Sequence, residues 1–458
     1  MIRYLIYTIK IIAIIAALLF LAFVIINWGD EELKPEVVKA LAWQAPANAL
    51  EDNGYLTLLG IEAPLEMDAA NVGKKALQAE LARFASMQKT HKETLAQAPN
   101  PSEIDEYIDW KDNQCDYQKQ QNCVDFYLQQ GADKLAAVLV SQDRLTARFE
   151  AIKQAKNYVE IVPPMISFTM PKYQLLMQAS ELERIRALVD IAENRMDIGL
   201  QAYVNNAVFS RRLLRESNSL ISHMVAVAMM QRDTRILSEL MTKYPAIATQ
   251  YAEQLAPVLA PISAPEFTLK KALIYERDMG FQVMSSLKFA KPTELAGVNA
   301  NNFVKLYSWL GFQGNATNNA LYEQSRLFVN LAEVNAAQMD AIKAEIAKNQ
   351  LDDFEIDYRL FTTKNPIGRI LIEVAKPDYT SYIERQHDLD GYLKMVKKLL
   401  GVLADGVAKD KIVAIEVHDP YTQKLMQFDK NTGVLTFAGR QPSSGNYNKS
   451  SQYQVKMR

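Results

Sequence analysis

Cysteine is nearly absent from this chain: 458 residues carry two, Cys115 and Cys123. Glycine and proline are sparse at 17 each. These shortages exclude collagen-like, low-complexity and disulfide-scaffold classes. A charge of one sign is missing as well. Against 51 Lys and Arg stand 53 Asp and Glu, a net charge of −2, so no global basic field exists to draw nucleic acid. What is present, 49% hydrophobic and 23% charged residues, describes an ordered globular chain with room for two or three domains.

The averages hide an uneven N-terminus. Residues 1–28 contain 24 hydrophobic residues, with Arg3 and Lys10 their only charges. Ile11 to Ile26 is an unbroken apolar run, and Leu5–Ile9 extends it beyond Lys10. A helix of roughly 20 residues rises about 30 Å, the thickness of a bilayer core. Lys10 can snorkel at one interface, and Trp28 supplies an aromatic anchor at the other. Basic residues precede the run, whereas Asp30, Glu31 and Glu32 follow it. The positive-inside rule then leaves the N-terminus in the cytoplasm and the bulk of the chain outside. A cleaved signal peptide needs small residues directly after the run, and Val24-Ile25-Ile26-Asn27-Trp28 does not provide them. The expectation is an uncleaved anchor in a bacterial inner membrane with a periplasmic bulk. Leu220–Met230, the next most apolar stretch, is too short to span and reads as a core helix.

Outside the membrane, a lone cysteine pair at short range is most simply a structural bridge. Closing the Cys115–Cys123 loop would stabilise by about 2.6 kcal/mol on the chain-entropy formula. A redox centre would place two residues between the cysteines, and no histidine or second pair accompanies them to make a metal site.

Asp30–Ala49 reads as a charged stretch standing the rest off the membrane. From Ala69 to Asn349 the pattern is helical, as in Ala76-Leu77-Gln78-Ala79-Glu80-Leu81. Leu182, Ile185, Val189, Ala192 and Met196 share one face, with Glu181, Arg184 and Glu193 off it, and Leu327, Leu331, Val334 and Ile342 make a second stripe. Breaks fall at Ile161–Lys172, Pro257–Pro265 and Gly311–Gly314. No fixed repeat period or tetratricopeptide signature occurs, so a regular solenoid is not expected. Past Leu351 the character changes. Phe354–Phe361 alternates as a strand, Arg369–Ala375 reads as a buried strand, Tyr379–Leu403 as a helix and Ile412–Val417 as a strand. Leu425–Phe428 and Val434–Phe437 flank a turn containing Gly433, a hairpin, and the Ser-, Asn- and Gly-rich tail from Gln441 reads as loosely ordered. The fold expected is mainly α: a transmembrane helix, a multi-helix exterior array or bundle, and a small C-terminal α+β unit with a β-hairpin. Its units are an anchor (1–28), a juxtamembrane segment (29–68), a helical domain (69–350), an α+β domain (351–440) and a tail (441–458).

Three local patterns are Asn53-Gly54-Tyr55-Leu56-Thr57-Leu58-Leu59-Gly60, the Cys115/Cys123 pair, and Asn365-Pro366-Ile367-Gly368-Arg369-Ile370-Leu371. Together they resemble uncharacterised single-pass, periplasm-facing envelope proteins of Gram-negative bacteria. The resemblance implies an anchored periplasmic protein and brings no activity with it. Asp419-Pro420-Tyr421-Thr422 with its hairpin is similar to C-terminal hairpins of pseudopilin-type envelope proteins, with Gln423 where that pattern has a glycine.

The search for chemistry returns little. His91, His223, His387 and His418 include no i, i+4 pair and no HExxH, and a core histidine explains His223. His387-Asp388-Leu389-Asp390-Gly391 lacks the third ligand and distal Glu of a calcium loop and reads as a solvated helix segment. No nucleophile elbow, P-loop or dinucleotide fingerprint occurs. Arg211, Arg212, Arg215, Arg232 and Arg235 form a basic cluster. It would either meet anionic headgroups or form a solvated face with local pairs such as Arg212–Glu216. The sequence therefore points to no catalytic residue, cofactor or metal. Its expected partners are the inner membrane and another periplasmic or membrane protein. The function expected is a non-enzymatic partner-binding or scaffold module; the alternative is an envelope hydrolase acting on cell wall or lipid through residues assembled from afar.

Overall fold

Free of Gly and Pro, residues Ile2–Ile26 wind into one helix, α1. It is long and apolar enough to cross a membrane, and only 6% of its most apolar window is covered by the rest of the chain. The computed structural model describes residues 2–47, 49–64, 66–92, 114–117, 122–297, 299–350, 363–375, 379–406, 416–443 and 446–457.

Beyond α1 the chain enters the body at once. Helices α2 (Pro35–Leu41), α3 (Gly54–Leu59) and α4 (Ala69–Thr90) lead to the disulfide loop. There α5 (Cys123–Gln130), α6 (Ala132–Ser141) and α7 (Asp143–Gln154) follow one another. Three long helices, α8 (Tyr173–Ala192), α9 (Met196–Glu216) and α10 (Leu220–Lys243), are packed against each other. Short turns α11 (Ala246–Gln250), α12 (Ala252–Leu255) and α13 (Ala264–Phe267) connect to α14 (Lys270–Leu287). Next come α15 (Pro292–Ala296), α16 (Asn302–Leu310), α17 (Gly314–Leu331), α18 (Met339–Gln350), α19 (Pro366–Val374) and α20 (Thr380–Ala404). The C-terminus is a three-stranded antiparallel sheet in the order β1 (Gln427–Asp429), β2 (Val434–Ser443), β3 (Asn446–Lys456). Its inner side lies on α20, and one hydrophobic cluster runs from Ala49 in the first helical layer to Met457 beneath the sheet.

The mainly helical architecture, the anchor-length helix, the disulfide and the C-terminal hairpin agree with the sequence. The break at 161–172 falls between helices, and those at 257–265 and 311–314 end in the first residues of α13 and α17. Other expectations need correction. Arg369–Ala375 is helical, not a strand. Asn365 accepts the Gly368 N–H as a helix cap, Pro366 occupies the first turn, and Ile367, Ile370, Leu371 and Val374 recur at helical spacing. Within the tail the described residues include a strand, since β3 pairs along β2 and buries Val455 and Met457. The stripe from Leu182 to Met196 is interrupted after Ala192, and Leu327–Ile342 is interrupted after Leu331, leaving Leu327 exposed. Glu181 and Arg184, placed off the apolar face, are buried with it, because α8 is enclosed on all sides. Asp30–Ala49 does not stand the body off: Val37 and Ala40 of α2 are buried against Phe281 of α14. The Phe354–Phe361 strand, and most of Ile412–Val417, lie outside the described residues.

Candidate functional site

The end of α1 is fastened to the body by a knot of neutral amides. Phe20, Phe23 and Asn27 share one face of α1 at i, i+3 and i+7. Phe23 is buried, stacked on Tyr307 of α16 at 4.6 Å between ring centroids. One turn further, Asn27 Oδ1 accepts the Asn365 N–H at 2.8 Å, and the Asn27 carbonyl accepts Gln313 Nε2 at 3.1 Å. Asn365 holds the centre. Its Oδ1 accepts the Gln313 and Gly368 N–H groups, at 2.9 and 3.2 Å, and its Nδ2 donates to Thr317 Oγ1 at 2.9 Å. To do so its backbone sits at φ 55°, in the left-handed region that asparagine tolerates better than most residues. Gly368 is required beside it, since a Cβ there would stand 2.0 Å from Thr317 Oγ1. All four side chains of the knot, Asn27, Gln313, Thr317 and Asn365, are buried.

A second clasp follows immediately. The Asp30 carboxylate accepts the N–H groups of Asn315 and Ala316, at 2.9 and 3.0 Å, and so caps the N-terminus of α17 where the helix dipole favours a negative charge. Asn319 then donates to the Glu32 carbonyl at 2.9 Å and accepts the Lys34 N–H at 3.0 Å. Lys364 pairs with Glu31 at 3.2 Å. The acidic run that follows α1 therefore caps and holds α17.

Of the anchor residues predicted, Lys10, Ile11 and Ile26 lie on α1, exposed along its length, and Trp28 follows its end, 82% exposed. The predicted cysteines are joined, with Cα atoms 5.5 Å apart. Both are buried, which a redox centre could not tolerate. Their loop is pinned to a charged hub. The Cys115 N–H donates to Tyr127 Oη, and Tyr127 and Tyr117 both donate to Glu181 Oε1, at 2.6 and 2.7 Å. Arg184, fully buried, donates to Glu181 Oε2 at 2.8 Å and to Asp233 Oδ1 at 2.7 Å. Asn206 and Ser210 complete the shell around Asp233. Burial pushes the Asp233 carboxyl up, and the Arg184 guanidinium acts against it.

Residues distant in sequence do converge in ways that resemble catalytic sites. Ser217 Oγ lies 2.8 Å from His223 Nδ1, and Gln386 contacts the other ring nitrogen. Burial lowers the His223 imidazole to about 3, so it stays neutral at physiological pH. The third position holds an amide in place of a carboxylate, and all three residues are buried within the helical layers. This arrangement joins α20 to α10 and has no opening for a substrate. Glu160 accepts Tyr173, Ser219 and Ser222 hydroxyls and the Asn218 and Ser219 N–H groups, tying the 161–172 connection to the start of α10.

The calcium-loop comparison fails for a different reason from the one expected. His387 and Asp388 lie in α20 but are buried, not solvated. Asp388 accepts Tyr421 Oη at 2.6 Å and the Arg440 and Gln441 N–H groups, which seats the sheet on α20. Burial pushes its carboxyl up to about 6 despite those donors. Among the described residues no group of three His, Cys, Asp or Glu is close enough to hold a metal ion.

The arginine cluster is divided among separate partners, with Arg211 alone buried. Arg211 forms a bidentate pair with Glu266 and also reaches the Ala260 and Pro261 carbonyls. Arg212 closes the C-terminus of α7 through the carbonyls of Ala155 and Lys156, and Arg215, not Arg212, pairs with Glu216. A half-open depression of about 370 Å³ lies between α4 and the 45–51 segment, lined by Ala45, Pro46, Ala49, Leu50, Leu81 and Ile161 with Glu51, Lys74 and Gln78 at its polar side. Its single carboxylate and lack of Ser or His offer no hydrolytic pair.

The sequence patterns behind the envelope-protein resemblance are packing devices. Asn53 caps α3 and bridges the Ala49 and Val159 carbonyls. Gly60 lets α3 cross α4, where a Cβ would meet the Ala69 carbonyl at 2.0 Å. Gln423 occupies the left-handed region at φ 56°, a position where glycine would be unstrained. Sequence reasoning missed Asn27, Gln313, Thr317 and Asp30. The signal available was a cluster of amides, Asn315, Asn318 and Asn319, beginning a helix just after a glycine-bounded break. Compared with protein-family models, curated proteins and solved structures, the chain matches none.

Proposed function

We propose that the chain is a single-anchor protein of the bacterial inner membrane. Its N-terminus lies in the cytoplasm, and its bulk is a non-enzymatic scaffold or partner-binding module in the periplasm. The observation that carries this reading is the rigid joint at the end of α1, where Asn27, Asn365 and Asp30 leave no free linker. An enzyme tethered to patrol a substrate needs only a flexible leash. A module that presents a surface to a membrane partner gains from a fixed pose, because preorganisation lowers the ordering cost of binding. The burial of the Ser217–His223 contact supports a structural role for it.

In-cell crosslinking with mass-spectrometric identification tests it. The native chain should trap one specific partner, and a flexible insertion between Gly29 and Asp30 should reduce that yield several-fold. Trapping nothing specific, while the purified full chain cleaves wall fragments or lipid, would leave the hydrolase. Protease added to spheroplasts should remove the bulk of the chain; protection of that bulk would reverse the topology.

A further inference from the structure

We infer that α16 is a second membrane contact, an amphipathic helix seated in the same leaflet as the outer end of α1, with lipid as its occupant. This rests on the anchor reading above. Across its nine residues α16 exposes Phe303 (55%), Leu306 (44%) and Trp309 (52%), spaced by threes, together with Val304. Lys305 is its only charged residue, and the helix carries no acidic one. A solvated helix that leaves four large apolar side chains uncovered calls for an occupant.

The geometry names which one. The Phe303 ring lies 6.2 Å from Phe20 of α1, and Tyr307 is stacked on Phe23. Phe20 precedes the end of α1 at Ile26 by six residues, which is about 9 Å along a helix. Interfacial helices bury their apolar face about 5–10 Å into the headgroup and acyl boundary. If α1 spans, Phe303 lies at that depth by direct contact with the spanning helix. The exposed arc of α16 is thus continuous with the apolar surface of α1. The length of α1 fits as well: 25 residues rise about 37 Å, more than the roughly 30 Å hydrocarbon core, so the last turns of α1 lie in the interface beside α16. Trp28 and Trp309, both exposed, then make an aromatic belt on that side. The knot around Asn365 fixes the approach, since the Ile367 N–H donates to the Gly311 carbonyl at the C-terminal end of α16.

The full chain is reconstituted in phosphatidylcholine–phosphatidylglycerol vesicles with brominated acyl chains, and tryptophan emission is compared with that in unbrominated vesicles. The native chain should show bromine-quenchable emission. Trp28→Phe and Trp309→Phe should each remove about half of it, because both rings belong to one belt. Both positions are surface-exposed, so neither variant threatens folding. If Trp28→Phe abolishes quenching and Trp309→Phe leaves it unchanged, the proposal is overturned while the anchor stands. Should Trp309 escape bromine yet also be shielded from aqueous iodide, a protein partner or a second copy covers α16, and lipid is again excluded. An unquenched native chain removes the anchor reading and this inference with it.

Discussion

Two buried polar centres hold this molecule, and they are built from opposite chemistry. At the end of α1 the side chains of Asn27, Gln313, Thr317 and Asn365 form a neutral network. In the middle of the body Arg184 is locked between Glu181 and Asp233, with two tyrosines and the disulfide loop attached. A neutral amide network loses less on desolvation than ions do, and it makes no demand on pH. The ionic hub carries a large desolvation cost, offset only because each charge has a full shell of partners. The joint is therefore neutral at its buried centre, with charged pairs such as Lys364–Glu31 only on its exposed side, whereas the hub places its charges in the interior.

The sharpest way to break the comparison is at the hub. Arg184→Met leaves Glu181 and Asp233 buried with their main cation gone, although Arg232 remains 3.6 Å from Glu181. Removing one member of a buried ionic network costs about 3–5 kcal/mol. Denaturant unfolding of the full chain in detergent should show that loss. Adding Glu181→Gln and Asp233→Asn to Arg184→Met should recover much of it. If Arg184→Met alone is neutral, the hub is not the ionic keystone described here.

At the joint the expected loss is smaller. Asn365→Ala removes the cap of α19, orphans the Gln313 N–H and takes one donor from Thr317 Oγ1, whose hydroxyl still donates to the Gln313 carbonyl, together worth about 2 kcal/mol. Asn365→Gly retains the left-handed backbone and loses only the side-chain bonds, so the difference between the two variants isolates the cost of φ 55°. Spin labels on the outer turn of α1 and on α17 should show a broadened distance distribution in either variant. An unchanged distribution would mean that packing of Phe23 on Tyr307 holds the joint without the amides.

The two centres also differed in how readable they were. Helix α1, the core helix at Leu220–Met230, the cysteine pair and the hairpin around Gly433 all announce themselves through local pattern, because run length, periodicity and turn residues act within a few positions. The hub was half visible. Leu182, Ile185 and Val189 mark the apolar face of α8, but no periodicity reveals that Glu181 and Arg184 find partners on α10, on α5 and in the disulfide loop. Nothing local reveals the joint, since Asn27 and Asn365 are 338 residues apart. The misreading of Arg369–Ala375 as a strand has the same root. A short apolar run between prolines fits both states, and the deciding cap from Asn365 is legible only when its partners are known.

Acid provides the gentlest test. Burial holds His223 at about 3 and His387 at about 4, below the unfolded value near 6.5. Their folded pKa values are depressed, so the unfolded chain binds protons first, and stability falls as pH drops below about 6.5. Asp388 works in reverse. Its folded value of about 6 exceeds its unfolded value near 3.8, so its contribution is present below pH 4 and lost as pH rises through 6. The two histidines oppose Asp388, and Asp233, Glu239, Glu276 and Asp278, whose carboxyls burial also pushes up, act on the side of Asp388. His223→Gln removes one histidine from that balance, and between pH 6 and 4 it should make the loss of stability on acidification shallower than in the native chain by up to about 1.4 kcal/mol per pH unit; an unchanged slope would mean that His223 takes up no proton on unfolding. Asn27, Gln313, Thr317 and Asn365 carry no ionisable group, so any acid-induced change in the α1–α17 distance should come from the Asp30 carboxylate that caps α17 and be absent in Asp30→Asn. A joint that opened with acid in Asp30→Asn before the body did would show that the amide network does not hold it.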